Sequence, residues 1–204
     1  MASTFVLATH NQHKVEEFAA ILGKEIPGIH VTTYDGPEPV EDGVSFEENA
    51  LIKARAAAAH TGLPSLADDS GICVDVLGGS PGIFSARWAG AAKNNSDNVA
   101  LLLDQLSDVR LEHRQAHFTC RIAVVFPATE TSDYEEFVVS GNWPGVISTE
   151  IRGEHGFGYD PVFIPEGFAI SAAELEPDEK NRLSHRSRAL TKLAQALSQR
   201  AQES

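Results

Sequence analysis

The sequence predicts an α/β protein built on a mixed β-sheet, and three observations carry that prediction. Apolar strand-like runs alternate with helical periodicities through the first half of the chain, the pattern of βαβ units. His117–Phe126 alternates with a period of two, and Tyr134–Ser140 then returns across a polar connection as its partner strand. No internal repeat or low-complexity segment interrupts the 204 residues, so they read as one domain over 1–204, large enough to be built as two lobes.

Thr4–Ala8 is an apolar run that reads as a buried first strand. A polar loop, Thr9–Lys14, leads into a helix over Val15–Leu22 with Val15, Phe18, Ala19 and Leu22 on one face, and Gly23 is expected to stop it. A second short strand is predicted at Ile29–Tyr34. The segment Gly36–Gly43 carries two prolines and several acids, Glu41 and Asp42 among them, and reads as a loop. Ser45-Phe46-Glu47-Glu48 is a capping box; the helix it opens runs over an alanine-rich stretch to about His60, where Gly62 ends it.

An apolar run, Leu63–Ala67, precedes Asp68-Asp69-Ser70-Gly71. Neighbours on a strand point to opposite faces, so two adjacent carboxylates can meet at one point only if the strand breaks there; Gly71 would permit a break. The alternative is an ordinary surface turn. Asp68–Gly90 is rich in Gly, Ser and Pro and is expected to be irregular. Within it Gly78-Gly79-Ser80-Pro81-Gly82 fits the G-x-S-x-G elbow of serine hydrolases, but the elbow needs the backbone N–H after the serine as an oxyanion donor. Pro81 has none, so that chemistry is excluded.

Further helices are predicted at Ser96–Leu106 and around Ala172–Leu175, the latter interrupted by Pro177, and a strand candidate at Gly145–Ile151 precedes a short strand at Val162–Ile164. A last helix follows Ser184-His185-Arg186 to about Gln199, and residues 200–204 are expected to fray. Cations at a helix start oppose the helix dipole unless an anion or carbonyl group meets them.

Composition narrows the function. The net charge of −13 removes the basic footprint of a polynucleotide binder, so nucleic acid is not expected as a partner. A mononucleotide remains possible, because its phosphates need only a few local cations and a metal ion. No apolar run reaches membrane-spanning length and the N-terminus does not read as a signal peptide. Two cysteines, Cys73 and Cys120, lack zinc or CxxC spacing and point to a reducing cytoplasm.

Three clusters stand out, the first as a ready anion site and the second open equally to a solvated helix stripe. Thr9–Lys14 links a strand to a helix N-terminus, where free N–H groups, the dipole and Lys14 all favour an anion. Asn49 and Lys53 share one helix face. Gly156-Phe157-Gly158-Tyr159-Asp160-Pro161 is a loop that cannot pack as regular structure yet carries a stackable ring.

Taken in order, Thr9-x-Asn11-x-x-Lys14, Ser45-Phe46-x-Glu48-Asn49-Ala50-x-x-Lys53-Ala54, Ala67–Gly71, Pro81–Arg87, Gly156–Pro161 and Ser184–Arg186 resemble the inosine triphosphate pyrophosphatase family, whose bacterial members are dITP/XTP pyrophosphatases, over Phe5 to about Leu197. The resemblance implies an elongated mixed sheet with flanking helices and two lobes enclosing a nucleotide cleft. It implies a Mg²⁺-dependent homodimer that hydrolyses ITP, dITP and XTP to the monophosphate and pyrophosphate, removing non-standard purines from the nucleotide pool. Thr9, His10, Asn11, Gln12, His13 and Lys14 would hold the triphosphate; His10 and His13 fall at variable positions of that loop. Glu41 and Asp69 would bind Mg²⁺, and Asp69 would also accept a proton from the attacking water. Ser70 and Lys53 would touch the substrate, Phe157, Gly158, Tyr159 and Asp160 would form the base pocket, and Lys180, His185 and Arg186 would complete the substrate site. Asn49 would support the phosphates. A non-catalytic nucleotide sensor would need the same pocket without the carboxylates; with Glu41, Asp68 and Asp69 all present, the hydrolase is the stronger reading.

Overall fold

The structure, a computed structural model, describes residues 3–130 and 133–203. Its six strands form one mixed sheet in the order β2-β1-β3-β4-β5-β6. These are β1 (Ser3–Leu7), β2 (Ile29–Thr33), β3 (Ser65–Val74), β4 (Gln115–Phe126), β5 (Glu135–Ile147) and β6 (Phe163–Pro165), with helices α1 (Gln12–Glu25), α2 (Phe46–Thr61), α3 (Asn95–Gln105), α4 (Pro177–Leu183) and α5 (His185–Glu203). β1 pairs in parallel with β2 and β3, and β5 pairs antiparallel with β6. The predicted α/β class with a mixed sheet is the one observed.

The chain divides into two compact units, Met1–Asp69 with Cys120–Gly141 and Arg188–Ser204, and Ser70–Thr119 with Asn142–Ser187. In the first unit, alternation along the strands separates two cores. Phe5 and Leu7 of β1, Leu66 of β3 and Cys120, Ile122 and Val124 of β4 pack with Val15, Phe18 and Leu22 of α1 and Leu190 and Leu193 of α5. The intervening residues Ala67, Ala123 and Val125 pack on Ala50, Ala54 and Ala58 of α2. Small alanines let α2 lie close to the strands, and burying both faces accounts for the continuous apolar run Ile122–Val125 of β4. In the second unit a separate core gathers Ile72, Val74, Leu102, Leu106, Phe118, Trp143, Ile147 and Phe163.

Local signals set the ends of α2. Ser45 Oγ accepts from Glu48 N at 3.1 Å, and Gly62 closes the helix in the left-handed region at φ +67°. Glu48 reaches back to Val44 N at 2.8 Å, one residue before the cap that a capping box would predict.

Several expectations change. Gly23 does not stop α1: Leu22 is fully buried and Ile26 packs on the same core, so tertiary burial carries the helix to Glu25. The helix also begins earlier, at Gln12, which puts Lys14 in its first turn. β3 does not break at Asp68-Asp69 but runs unbroken to Val74, and the expected irregular stretch after it carries two short 3₁₀ helices, Asp75–Leu77 and Gly82–Arg87. The strands predicted on either side of Pro144 are one, β5. Pro144 lacks an N–H, but its carbonyl accepts from Glu166 N at 2.9 Å and the next three residues pair with β6, which ends the strand at Ile147. Ala172–Leu175 is a turn rather than a helix, with Ser171 N donating to Glu174 Oε2 at 2.7 Å and Ala172 N to Phe163 O at 2.8 Å. Pro177 opens α4 instead of interrupting a helix, the position where a missing N–H is harmless. α5 continues through Arg200, whose guanidinium pairs with Glu135 and lies 4.2 Å over the Phe126 ring, to Glu203; Ser204 lies outside the described residues.

Candidate active site

In the first unit the connection from β1 to α1 is organised by its own side chains. Thr9 Oγ1 accepts from Asn11 N at 3.2 Å, and Asn11 Oδ1 accepts from Lys14 N at 3.4 Å, capping the helix. The N-terminus of this 14-residue helix carries first-turn N–H groups and the positive end of its dipole, which favour an anion. His10 turns to the neighbouring loop, its Nε2 3.1 Å from Gly36 O and its ring stacked on Tyr34. Gln12 Nε2 donates along the helix to Glu16 at 3.4 Å. The side chain of His13 lies outside the described residues.

Because β3 is continuous, its two carboxylates face opposite ways. Asp68, only 5% exposed, follows Leu66 toward α1, and its Oδ1 accepts from Lys14 Nζ at 2.7 Å. Asp69 follows Ala67 toward α2. Its Oδ2 accepts from Asn49 Nδ2 at 3.2 Å, and its Oδ1 lies 3.6 Å from Lys53 Nζ. The same ammonium is 3.3 Å from Glu41 Oε2. Lys53 thus stands between two carboxylates supplied from separate segments, the loop before α2 and strand β3.

Burial pushes the Asp69 carboxyl above the ordinary aspartate range; Lys53 and the Asn49 hydrogen bond oppose that shift, while Glu41 and Asp68 reinforce it. Among the described residues no three His, Cys, Asp or Glu side chains converge as a metal cage. Mg²⁺ does not require one, since it binds through one or two carboxylates, phosphate oxygens and water. Glu41 and Asp69 fit that donor chemistry, and the Lys53 ammonium already between them marks a place where positive charge is stabilised. Asp42 is exposed beside Glu41. Ser70 follows Asp69 in β3 and is half-buried.

The second unit holds the other cluster. Asp160, 4% exposed, accepts at Oδ2 from Phe157 N at 2.8 Å and from Lys180 Nζ at 2.5 Å. Lys180 Nζ also lies 5.0 Å over the Phe157 ring, which is 67% exposed and free to stack on a planar ligand. Gly156 and Gly158 take positive φ on either side of it. The Tyr159 ring turns inward instead: it joins the core and donates its hydroxyl to Ser85 O at 2.9 Å. His185 and Arg186 open α5, where Ser184 Oγ accepts from Ser187 N at 3.2 Å. The His185 ring stacks on Phe118, centroids 5.0 Å apart and planes 12° apart, which fixes its edge; Arg186 is half-buried.

Sequence reasoning named the groups but missed their supports. Phe118 was read as strand core, although it also carries His185. Ser85 and Asn98 brace the segment after Pro81: Ser85 Oγ accepts from Ile72 N at 2.9 Å, and Asn98 accepts from Ala89 N and donates to Ala86 O. The Pro81–Arg87 motif was the available signal, without indicating its anchors.

Comparison with known proteins agrees along nearly the whole chain. The sequence model of the Ham1 family matches residues 5–196. A dITP/XTP pyrophosphatase of Leifsonia xyli is 57% identical over 192 residues, 94% of each chain. A solved HAM1 protein from Coxiella burnetii superposes with a TM-score of 0.87 at 38% identity, covering 97% of this chain and 99% of its own. The crystal structure of a nucleoside-triphosphatase / dITP/XTP pyrophosphatase from Mycobacterium abscessus gives a TM-score of 0.79 at 45% identity, covering 93% and 98%.

Proposed function

The chain belongs to the Ham1 family, and from that premise we propose that it is a nucleoside triphosphate pyrophosphatase cleaving ITP, dITP and XTP to the monophosphate and pyrophosphate. The observation that carries the reading is the paired carboxylate arrangement of Glu41 and Asp69 around Lys53, with Lys14 in the first turn of α1. Phosphoryl transfer asks mainly for positioning and charge neutralisation, and this is a set of groups suited to both.

In this reading Thr9–Lys14 takes phosphate oxygens at the α1 N-terminus, and Lys53 and Ser70 take others. Water cleaves the anhydride that joins the first phosphate to the other two, and pyrophosphate leaves. Asp69 accepts the proton of the attacking water. Glu41 and Asp69 would hold Mg²⁺, which when bound supplies neutralising charge to the phosphates and acidifies coordinated water.

The base is read by the second cluster. Phe157 stacks on the ring, which every purine permits. Discrimination comes from His185 and Arg186: hypoxanthine and xanthine offer an oxygen at the sixth purine position, where adenine carries an amino donor that would meet donors. Asp160 and Lys180 hold the Phe157 loop in shape. The reading also includes a homodimer and a cytoplasmic setting, the second supported by cysteines that form no disulfide; among the described residues no helix is long and apolar enough to cross a membrane.

The test is pyrophosphate release from ITP, dITP, XTP, GTP and ATP, with and without Mg²⁺. A site with fixed hydrogen-bond partners can reject a mismatched analogue by roughly 10⁴-fold, so kcat/KM for ITP and XTP should far exceed that for ATP, and chelation should abolish turnover. Equal hydrolysis of ATP and ITP would overturn the base assignment; no release from any of them would overturn the activity.

A further inference from the structure

Asn49 is 2% exposed, yet it is a polar residue on the otherwise alanine-lined buried face of α2. Both ends of its amide are used. Nδ2 donates to Asp69 Oδ2 at 3.2 Å, and Oδ1 accepts from Gly43 N at 3.0 Å. A Cβ on Gly43 would come within 2.7 Å of Asn49 Oδ1 and of Glu48 Cβ, so the backbone is drawn tightly against this side chain. Gly43 stands two residues after Glu41 in the loop that delivers Glu41 to Lys53. One buried amide therefore grips both carriers of the carboxylate pair: the Glu41 loop through its backbone and Asp69 through its carboxylate.

We propose that Asn49 is a positioning residue that sets the separation and orientation of Glu41 and Asp69, and so prepares the pair for a divalent cation without touching substrate itself. An amide is the side chain the place demands. It presents a donor to one partner and an acceptor to the other at a single branch point, which neither a carboxylate nor a hydrocarbon can do. Lys53, one turn further along the same helix, supplies the charge; Asn49 supplies the geometry. The inference rests on the pyrophosphatase reading above, but one arm of its test needs no nucleotide.

Two variants distinguish the role from support of the fold. Asn49→Ala removes both bonds. Asn49→Asp is nearly isosteric and keeps an acceptor for Gly43, but cannot donate to an ionised Asp69. Circular dichroism establishes that each is folded; should Asn49→Ala not fold, Asn49→Asp carries the test. In the first arm, amide resonances of Gly43 and Asp69 are followed while Mg²⁺ alone is titrated into wild type and variants. Wild type should respond in saturable fashion, and the variants should require at least about tenfold more Mg²⁺ or respond at only one of the two sites. In the second arm, ITP turnover should show kcat reduced by roughly 30-fold or more with KM within about twofold, the pattern of a lost geometry rather than a lost substrate contact. A wild-type Mg²⁺ response retained unchanged in Asn49→Asp, or a KM that rises while kcat holds, would overturn the proposal. Absence of any Mg²⁺ response in wild type would overturn it together with the metal assignment of the carboxylate pair. If the Mg²⁺ arm behaves as expected but wild type fails to cleave ITP, the activity reading falls and the positioning role stands.

Discussion

Gly156 and Gly158 flank the exposed Phe157 ring and allow a controlled test of the loop that carries it. Both take positive φ, +79° and +60°, so alanine at either place incurs the left-handed penalty of about 1–2 kcal/mol. Their surroundings differ. A Cβ on Gly158 would meet nothing within 4 Å, whereas one on Gly156 would lie 2.3 Å from Asp160 Oδ2 and 3.0 Å from Lys180 Nζ. Asp160 must then move, and it is buried, paired with Lys180 and bonded to Phe157 N. Disturbing a hydrogen bond to a charged acceptor costs about 1.5–3 kcal/mol. Gly156→Ala should therefore lose about 2.5–5 kcal/mol against about 1–2 kcal/mol for Gly158→Ala. In a chain of this size each kcal/mol lowers Tm by about 2–4 °C, which separates the variants by several degrees. Thermal unfolding by circular dichroism measures the first effect. KM for ITP measures the second, and it should rise severalfold more for Gly156→Ala, whose clash reaches the Phe157 support. Equal Tm and equal KM for the two variants would refute the argument that the Asp160–Lys180 pair shapes this loop.

Asp69→Asn should leave the fold intact by circular dichroism and lower kcat for ITP on the order of a hundredfold or more, the usual cost of losing one group that acts in the transition state; a near-normal rate would remove Asp69 from the reaction. Lys14→Ala should raise KM and lower kcat together, and should also lower Tm, because it strips the 2.7 Å partner from the buried Asp68; unchanged kinetics would make Lys14 a structural counter-ion only. Arg186→Ala should reduce ITP turnover and narrow the preference of ITP over ATP in kcat/KM; unaltered values would exclude Arg186 from base recognition. Glu136, bonded by Arg55 and held down to about pKa 2, contributes stability that is complete above the ordinary glutamate pKa of about 4.5 and is lost as pH falls from there toward 2. The Tm difference between wild type and Glu136→Gln should therefore be present at pH 6 and fade across that window; a difference constant with pH would contradict it.

The parts of this fold legible in the sequence are those governed by neighbours a few residues away. The Ser45 cap, the Gly62 stop and the polar link from β1 into α1 each depend on contacts within one helical turn. Where distant pairing decides, local composition misled. Asp-Asp-Ser-Gly has the chemistry of a turn, but flanking Leu66, Ala67 and Ile72 are buried, and their packing keeps β3 extended through it. The stretch Gly141–Pro144 read as a gap between two strands, but β6 supplies partners for the three residues after Pro144 and β5 is continuous. The same limit applies to the site. Lys14, Glu41, Lys53 and Asp69 stood out in the sequence as candidate phosphate and metal groups, but nothing local told that Lys14 would hold Asp68, 54 residues away, or that Asn49 would donate to Asp69.

The unbroken course of β3 makes the pleat itself an addressing device. Asp68 and Asp69 are chemically identical and covalently adjacent, and only the parity of their positions sends one to α1 and the other to α2. That parity is set upstream, where Val6 pairs with Ser65 and Leu7 with Leu66. Sliding β3 by a single residue would exchange the two carboxylates and turn every apolar neighbour to the wrong core. Evolution of this segment is therefore constrained in length more than in composition. Substitutions of one apolar residue for another between Ser65 and Ala67 alter packing by degrees, but one residue inserted there would put Asp68 in the place of Asp69, toward Lys53, and one residue deleted would put Asp69 in the place of Asp68, toward Lys14.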